Sequence, residues 1–127
     1  MHGPRHRWVR VMWMGSELEI RVTEQHGWTV LIVSGEFDVL TAPRVRARLL
    51  DLLDAGLCQV VVDLEEVRFL DSSGLGALVA GLKLARRRHG DMRLVCHRQR
   101  SVLKVLEVTG LDRILDCYTS VDAAVAA

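Results

Sequence analysis

Two patterns of apolar and polar residues predict the strands of this chain. Residues 17–23 alternate between apolar and polar side chains, as in a strand that is buried on one face. Residues 28–35 form a nearly continuous β-branched run, which is typical of a more central strand and predicts a hairpin with the first. Further apolar runs predict strands over residues 58–64, 92–96 and 114–117.

Helical spacing of apolar residues fills the intervals between these strands. Candidate N-caps and terminal glycines set the limits of four helices. The predicted helices run from Thr41 to Gly56, from Ser72 or Ser73 to Gly90, from Ser101 to Val108 and from Val121 to Ala126. Strands that alternate with helices imply a largely parallel sheet with right-handed crossovers. We therefore expect an α/β fold, a mixed β-sheet of about 4–5 strands packed by about four α-helices.

Composition narrows the class of protein. The chain has 127 residues, half of them apolar, which suits one domain with a buried core. No apolar run approaches the roughly 20 residues that span a membrane. The formal net charge is +1, but residues 15–127 alone carry −2. Without an overall positive field, this part of the chain is expected to bind proteins, with no direct binding of nucleic acid and no membrane attachment.

The first residues differ from the rest of the chain. Residues 1–14 are basic, contain Trp8 and Trp13, and lack the apolar core of a secretory signal. We interpret them as a disordered N-terminal extension, with the functional chain starting near Met14 and the folded domain occupying residues 15–127. A weak membrane-surface or partner-binding arm is the alternative.

The cysteines indicate a reducing environment. Cys58, Cys96 and Cys117 are odd in number, far apart, and placed in or beside apolar runs. Buried reduced thiols are the simplest interpretation, which fits a cytoplasmic protein. The sequence indicates no metal site and no cofactor.

The most informative segment follows the strand at residues 58–64 and opens a helix. It begins Asp71-Ser72-Ser73 and continues with Gly74 and Gly76. A phosphate on either serine would meet the N–H groups and the positive dipole end of the helix, and would add charge beside Asp71. Alternatively, the two serines merely cap the helix. Glycine in a first turn costs stability, however, and permits close approach by another molecule.

Catalytic interpretations of the loops are weaker. The segment after residue 70 has neither the spacing of a nucleophile elbow nor that of a phosphate-binding loop. Glu36 and Asp38 lie in a loop expected at the same end of the sheet as Asp71. Two carboxylates can serve acid–base chemistry or a metal, but no loop histidine completes either site. An acidic docking surface or simple solvation is the preferred interpretation.

Three blocks of sequence resemble the STAS-domain anti-sigma factor antagonists, over about residues 17–126. The blocks are Gly35-Glu36-Phe37-Asp38 with Thr41-Ala42, Val61-Val62-Asp63-Leu64 through Phe69-Leu70-Asp71-Ser72-Ser73-Gly74-Leu75-Gly76, and Val102 to Leu111. The Asp-Ser-Ser-Gly-Leu-Gly run is the most specific of them. The resemblance implies a STAS-type mixed sheet.

The resemblance also implies a partner switch without catalytic activity. Family members bind an anti-sigma factor, which is itself a serine kinase, and so release a sigma factor. Phosphorylation of the serine that maps to Ser72 stops the binding, and a PP2C-type phosphatase resets it. The partner-binding residues would be Glu36, Asp38, Thr41, Asp71, Ser73, Gly74, Leu75 and Gly76. A monomer or weak dimer is expected.

Two other functions remain open from the sequence. One is a non-phosphorylated STAS subunit of a lipid-transport ABC complex, which would share the fold without needing a kinase. The other is a nucleotide-binding enzyme of flavodoxin-like shape. The second lacks both a glycine-rich phosphate loop after the first strand and an obvious base.

Overall fold

One six-stranded mixed β-sheet organises the chain in the computed structural model, which describes the backbone of residues 7–13 and 16 and all of residues 17–127. The strands lie side by side in chain order. They are β1 (Arg7–Trp13), β2 (Ser16–Gln25), β3 (Trp28–Phe37), β4 (Gln59–Leu70), β5 (Asp91–Val95) and β6 (Asp116–Tyr118). The first three pair antiparallel, and β3 through β6 pair parallel.

The helices connect the parallel strands. They are α1 (Ala42–Asp54), α2 (Ser72–Arg87), α3 (Arg100–Thr109) and α4 (Val121–Ala126), with a 3₁₀ turn at Leu111–Arg113. Each parallel strand is added on the same side of the previous one, so right-handed crossovers place α1, α2 and α3 on one face of the sheet. The short α4 packs on the other face.

The core lies between the sheet and the first three helices. Leu31, Val62 and Leu94 of the sheet are fully buried there against Leu49 of α1 and Leu78 of α2. A smaller cluster on the other face joins the sheet to α4; it comprises Val30, Val61, Val95, Ala124 and Val125. The two clusters follow from alternation, because neighbouring residues of one strand point to opposite faces.

The structure confirms the expected fold and adds one strand to it. The strands near residues 28–34, 58–64 and 92–96 are present, as are all four helices. Within the segment for which the sequence predicts a disordered extension, the structure has a strand at Arg7–Trp13, which pairs with β2 along its whole length. Its basic composition concealed an alternation in which Val9 and Val11 lie opposite Ile20 and Leu18. Residues 1–6 and 14–15 fall outside the described residues.

The cysteines differ in burial. Cys96 is buried, Cys58 is half-buried and Cys117 is exposed, so the expectation of burial is wrong for Cys117. Burial raises the pKa of the Cys96 thiol to about 12. Cys96 is therefore a core residue and not a reactive thiol.

None of the helices within residues 7–13 and 16–127 combines the length and the apolar character that a membrane span requires.

Candidate functional site

The ends of two parallel strands bring the sequence-predicted residues together. Phe37 at the end of β3 pairs in register with Leu70 at the end of β4. The loop of residues 38–41 and the start of α2 therefore emerge at the same edge of the sheet, as expected for the carboxyl ends of parallel strands. The acids Asp38 and Asp71 lie in these two adjacent segments.

Asp71 links the start of α2 to the loop after β3. Its Oδ1 accepts hydrogen bonds from the backbone N–H groups of Ser73 at 2.9 Å and Gly74 at 3.1 Å, which makes Asp71 the N-cap. Its Oδ2 accepts from the N–H of Val39 at 3.0 Å. One carboxylate thus holds two segments that are 32 residues apart in sequence. We call this arrangement the Asp71 clamp.

The cap is Asp71, so the interpretation of Ser72 and Ser73 as helix caps is wrong. Ser72 is exposed, Ser73 is half-buried, and no hydrogen bond engages either hydroxyl among the described residues. The expectation that free N–H groups would receive a phosphate also changes, because those of Ser73 and Gly74 are already bonded to Asp71. A phosphate on Ser72 would lie next to the Asp71 carboxylate, which already accepts three backbone hydrogen bonds.

Asp38 and Thr41 form a tight turn before α1. The Oδ1 of Asp38 accepts from the N–H groups of Leu40 at 2.9 Å and Thr41 at 3.1 Å. The Thr41 hydroxyl donates to the Glu36 carbonyl at 2.6 Å and accepts from the Asp38 N–H at 2.9 Å. Because Thr41 is fully buried, it shapes the loop instead of presenting a contact. Asp38 shares that task, and its carboxylate is bonded to backbone.

The two glycines of α2 differ in their surroundings. A Cβ on Gly74 would come within 2.5 Å of Leu70 Cδ1 and 2.8 Å of the Phe37 carbonyl oxygen, so the fold itself requires glycine there. A Cβ on Gly76 would meet nothing within 4 Å, and Gly76 is exposed. Packing within the described chain does not explain this glycine, whereas close approach by a partner would.

Large apolar side chains are exposed in the loop after β3 and at the end of β4, and the sequence did not single them out. Val39 is 64% exposed, Leu40 is 45% exposed and Phe69 is 50% exposed. Exposed large apolar side chains near the same edge of a sheet are candidates for an interaction site. We define the docking surface as Val39, Leu40, Phe69, Ser72 and Gly76.

The remaining predicted residues lie around the docking surface. Glu36 is held by an ion pair between its Oε2 and Arg68 Nη2 at 3.0 Å. Leu75 is half-buried and packs partly against the core. A groove of about 450 Å³ runs beside Ser73 between α1 and α2, and Arg46 is the one charged residue of the described chain that lines it.

A second carboxylate makes a similar clamp on the other side of β4. The Oε2 of Glu65 accepts from the N–H groups of His97 at 2.7 Å and Arg98 at 3.0 Å, in the loop after β5. Burial alone would raise the pKa of Glu65, but these bonds and the Arg98 guanidinium at 3.5 Å outweigh it, and the pKa is lowered. We call this the Glu65 clamp.

Backbone N–H groups hold both acids of the site. They donate to Oδ1 of Asp38 and to both carboxylate oxygens of Asp71, so these side chains shape the loop after β3 and the start of α2. Among residues 7–13 and 16–127, no group of three or more His, Cys, Asp or Glu side chains could hold a metal ion.

A protein-family model and several known proteins are similar to this chain in sequence. The family model of the STAS domain matches residues 19–124. The anti-sigma F factor antagonist of Paenibacillus polymyxa is 31% identical over 102 residues, 80% of this chain and 86% of that protein. The anti-sigma-B factor antagonist of Bacillus subtilis (strain 168) is 32% identical over 84 residues, 66% of this chain and 75% of that protein.

The fold is also that of a solved relative. The crystal structure of an anti-sigma factor antagonist from Mycobacterium paratuberculosis superposes with a TM-score of 0.81 and 28% sequence identity, covering 91% of this chain and 97% of the other. The match of the family model over most of the chain, together with these relatives, is decisive. The chain belongs to the STAS-domain family of anti-sigma factor antagonists.

Proposed function

We propose that this protein binds an anti-sigma factor through the docking surface, releases the sigma factor held there, and is switched off by phosphorylation of Ser72. It acts by binding and has no catalytic activity of its own. The general role follows from relatives named anti-sigma factor antagonists. The finer assignments rest on the geometry around Ser72.

One observation supports Ser72 as the acceptor. Its hydroxyl is exposed at the first position of α2, and the capping role that serine commonly plays there belongs to Asp71. A kinase can therefore reach this hydroxyl without breaking a cap. Ser73 has the same chemistry, but it is half-buried beside the groove between α1 and α2.

Phosphorylation would change the docking surface in two ways. A phosphate adds nearly two negative charges to a surface made of apolar side chains and small residues, which a partner fitted to the unmodified form would oppose. The same charge lies beside the Asp71 carboxylate, which holds the Val39 N–H. Repulsion between the two anions would weaken the Asp71 clamp and loosen the loop that carries Val39 and Leu40.

The proposed partners are those that the family resemblance implies. The anti-sigma factor would be the serine kinase that modifies Ser72, and a PP2C-type phosphatase would restore binding. Both reactions belong in the cytoplasm. The protein would meet its partner through the edge of the sheet where β3 and β4 end.

A pull-down from the native bacterium tests the proposal. Unmodified protein should capture a serine kinase free of its sigma factor, identified by mass spectrometry, and Ser72→Asp bait should not capture the kinase. Capture of a membrane ATPase by both baits would contradict the proposal and favour the lipid-transport alternative. Ser101→Asp bait is a control, because Ser101 is an exposed serine in the first turn of α3, a different helix from the one that carries Ser72.

A further inference from the structure

The groove between α1 and α2 is continuous with the docking surface. Val39 and Gly76 belong to the docking surface and also line the groove. Ser73 lines the groove as well, directly after the proposed acceptor Ser72. A partner that covers the docking surface would therefore also cover this groove of about 450 Å³.

The groove has small or apolar walls and a single cation. Arg46 is exposed, and no hydrogen bond or ion pair joins its side chain to any other residue that the structure describes. Four other arginines, by contrast, each form an ion pair with an acid of this chain; they are Arg68, Arg86, Arg88 and Arg98. The fold thus leaves the charge of Arg46 to be neutralised by a partner.

The starts of both helices add to the positive character of the groove. Neither α1 nor α2 has an acid in its first turn, although the positive end of a helix favours acidic side chains there. The acids that precede the two helices are Asp38 and Asp71, whose carboxylates accept backbone N–H groups. Each is offset in part by the helix end beside it, so Arg46 remains the uncompensated charge of the groove.

We propose that the groove receives one Asp or Glu side chain of the anti-sigma factor, which pairs with Arg46, and that this contact determines specificity. The contact rests on the proposed function, because it supplies the chemistry by which the docking surface would recognise that partner. A guanidinium binds a carboxylate through two parallel hydrogen bonds, which fixes the orientation of the bound group. The pair becomes stronger when the partner covers the groove and excludes water from it.

The contact also accounts for the effect of phosphorylation. Ser72 is the first residue of α2, and its neighbour Ser73 lines the groove. A phosphate on Ser72 would add nearly two negative charges close to the carboxylate that Arg46 receives. The two anions would repel each other and compete for the same guanidinium. The modified protein would therefore lose the partner whose acid the groove recognises.

Isothermal titration calorimetry tests the contact, with the anti-sigma factor that unmodified protein captures in the pull-down. Arg46→Gln should weaken binding at least tenfold, about 1.4 kcal/mol, because the partner's carboxylate loses its counter-charge. Arg46→Glu should weaken binding further, since two acids then face each other. Arg46→Lys keeps the charge but not the paired donors, so its affinity should lie between those of wild type and Arg46→Gln.

Arg87→Glu is the matched control for Arg46→Glu. Arg87 is also exposed and unpaired among the described residues, but it lies in the last turn of α2, whereas the groove lies at the first turns. The variant makes the same change in net charge and should leave the affinity unchanged. Circular dichroism should show that all these variants are folded, because both arginines are exposed.

A charge exchange identifies the partner's acid. Each exposed Asp or Glu of the anti-sigma factor is replaced by Arg in turn, and each variant is titrated with wild type and with Arg46→Glu. One variant should bind wild type at least tenfold more weakly, about 1.4 kcal/mol, and should bind Arg46→Glu more tightly than the unaltered anti-sigma factor does. Arg87→Glu should not restore the binding of that variant.

The outcomes separate this contact from the proposed function. If wild type and Arg46→Glu bind the anti-sigma factor equally, the contact is overturned and the proposed function stands. Equal losses for Arg46→Glu and Arg87→Glu, or an exchange in which no variant restores binding, would overturn the contact as well. A wild type that binds no anti-sigma factor would contradict the proposed function, and the contact with it.

Discussion

Two carboxylate clamps on either side of β4 differ in what surrounds them. Asp71 holds the loop after β3 through Val39, and Glu65 holds the loop after β5 through His97 and Arg98. The bonding is alike, since each acid accepts N–H groups from a loop about 32 residues away in sequence. A buried or half-buried carboxylate bonded to backbone is therefore a structural device and does not by itself identify a functional site.

The surroundings separate the two clamps. Beside Asp71 lie exposed apolar side chains and a serine whose hydroxyl has no bond in the described chain. Beside Glu65 lies the charged Arg98, already paired with it. An exposed apolar surface can bind a partner protein, and phosphorylation of a neighbouring free hydroxyl can stop that binding. The pocket beside Glu65 is lined mainly by charged and polar side chains, so we expect the clamps to respond differently to the same changes.

The largest difference is expected from one added charge at each clamp. Ser72→Asp should weaken binding to the anti-sigma factor by at least a hundredfold, about 2.7 kcal/mol, because charge enters an apolar contact. Ser101→Asp places the same charge in the first turn of α3 and should leave the affinity unchanged. Isothermal titration calorimetry measures both. Equal losses for the two variants would show that overall charge, and not the docking surface, controls binding.

The glycines of α2 should respond in opposite directions. Gly74→Ala should lower the free energy of unfolding by about 1–3 kcal/mol, because the methyl group has no room between Leu70 and the Phe37 carbonyl. Gly76→Ala should raise it by about 0.5–1 kcal/mol, since alanine favours the helix and has open space. Urea denaturation measures both. If Gly76→Ala also weakens anti-sigma binding, Gly76 is a point of close approach; unchanged affinity would remove it from the docking surface.

A smaller change in anti-sigma affinity is expected when one carboxylate is neutralised in the loop after β3 or at the Glu65 clamp. Asp38→Asn should reduce anti-sigma affinity about tenfold, because the neutral amide oxygen is a weaker acceptor for the two N–H groups that hold the turn presenting Leu40. Glu65→Gln removes the charge from a comparable acceptor of the loop after β5 and should leave affinity unchanged. Each variant should cost roughly 1 kcal/mol of stability, so circular dichroism at low denaturant will show that both remain folded. Unchanged affinity of folded Asp38→Asn would remove the turn from the proposed interface.

The smallest effect is expected at the far edge of the sheet. Deleting residues 1–13 should leave anti-sigma affinity within a few-fold, because β1 lies at the opposite side of β2 from the loop after β3. Binding of the truncated and full chains is compared by titration. A tenfold loss, about 1.4 kcal/mol, would make the strand part of the anti-sigma interface.

Local patterns in the sequence predicted most of the fold. Alternation and β-branched runs located β2 to β5, and the run from Asp71 to Gly76 located the start of α2. The same patterns left the cap ambiguous, because Asp71, Ser72 and Ser73 all suit that role. Only the bond from the Val39 N–H shows why the aspartate is used, and a contact across 32 residues leaves no local signal.

The unpredicted features have similar physical causes. Val39 and Leu40 are apolar residues that a sequence pattern assigns as readily to a core as to a surface, and their exposure follows from the tight turn at Asp38. The strand β1 was obscured by its arginines, since pairing with β2 depends on an edge that only the assembled sheet presents. Features that depend on two distant segments meeting could not be predicted from either segment alone.

The most direct test is intact-mass spectrometry after incubation with the cognate kinase and ATP. Wild type, Ser72→Ala and Ser73→Ala are compared, and the alanine variants should stay folded because Asp71 caps the helix. Wild type and Ser73→Ala should each gain one phosphate, while Ser72→Ala gains none and still binds the anti-sigma factor. A phosphate added to Ser72→Ala but absent from Ser73→Ala would contradict the assignment of Ser72. No phosphate on any of the three proteins, with an active kinase, would contradict the switch itself.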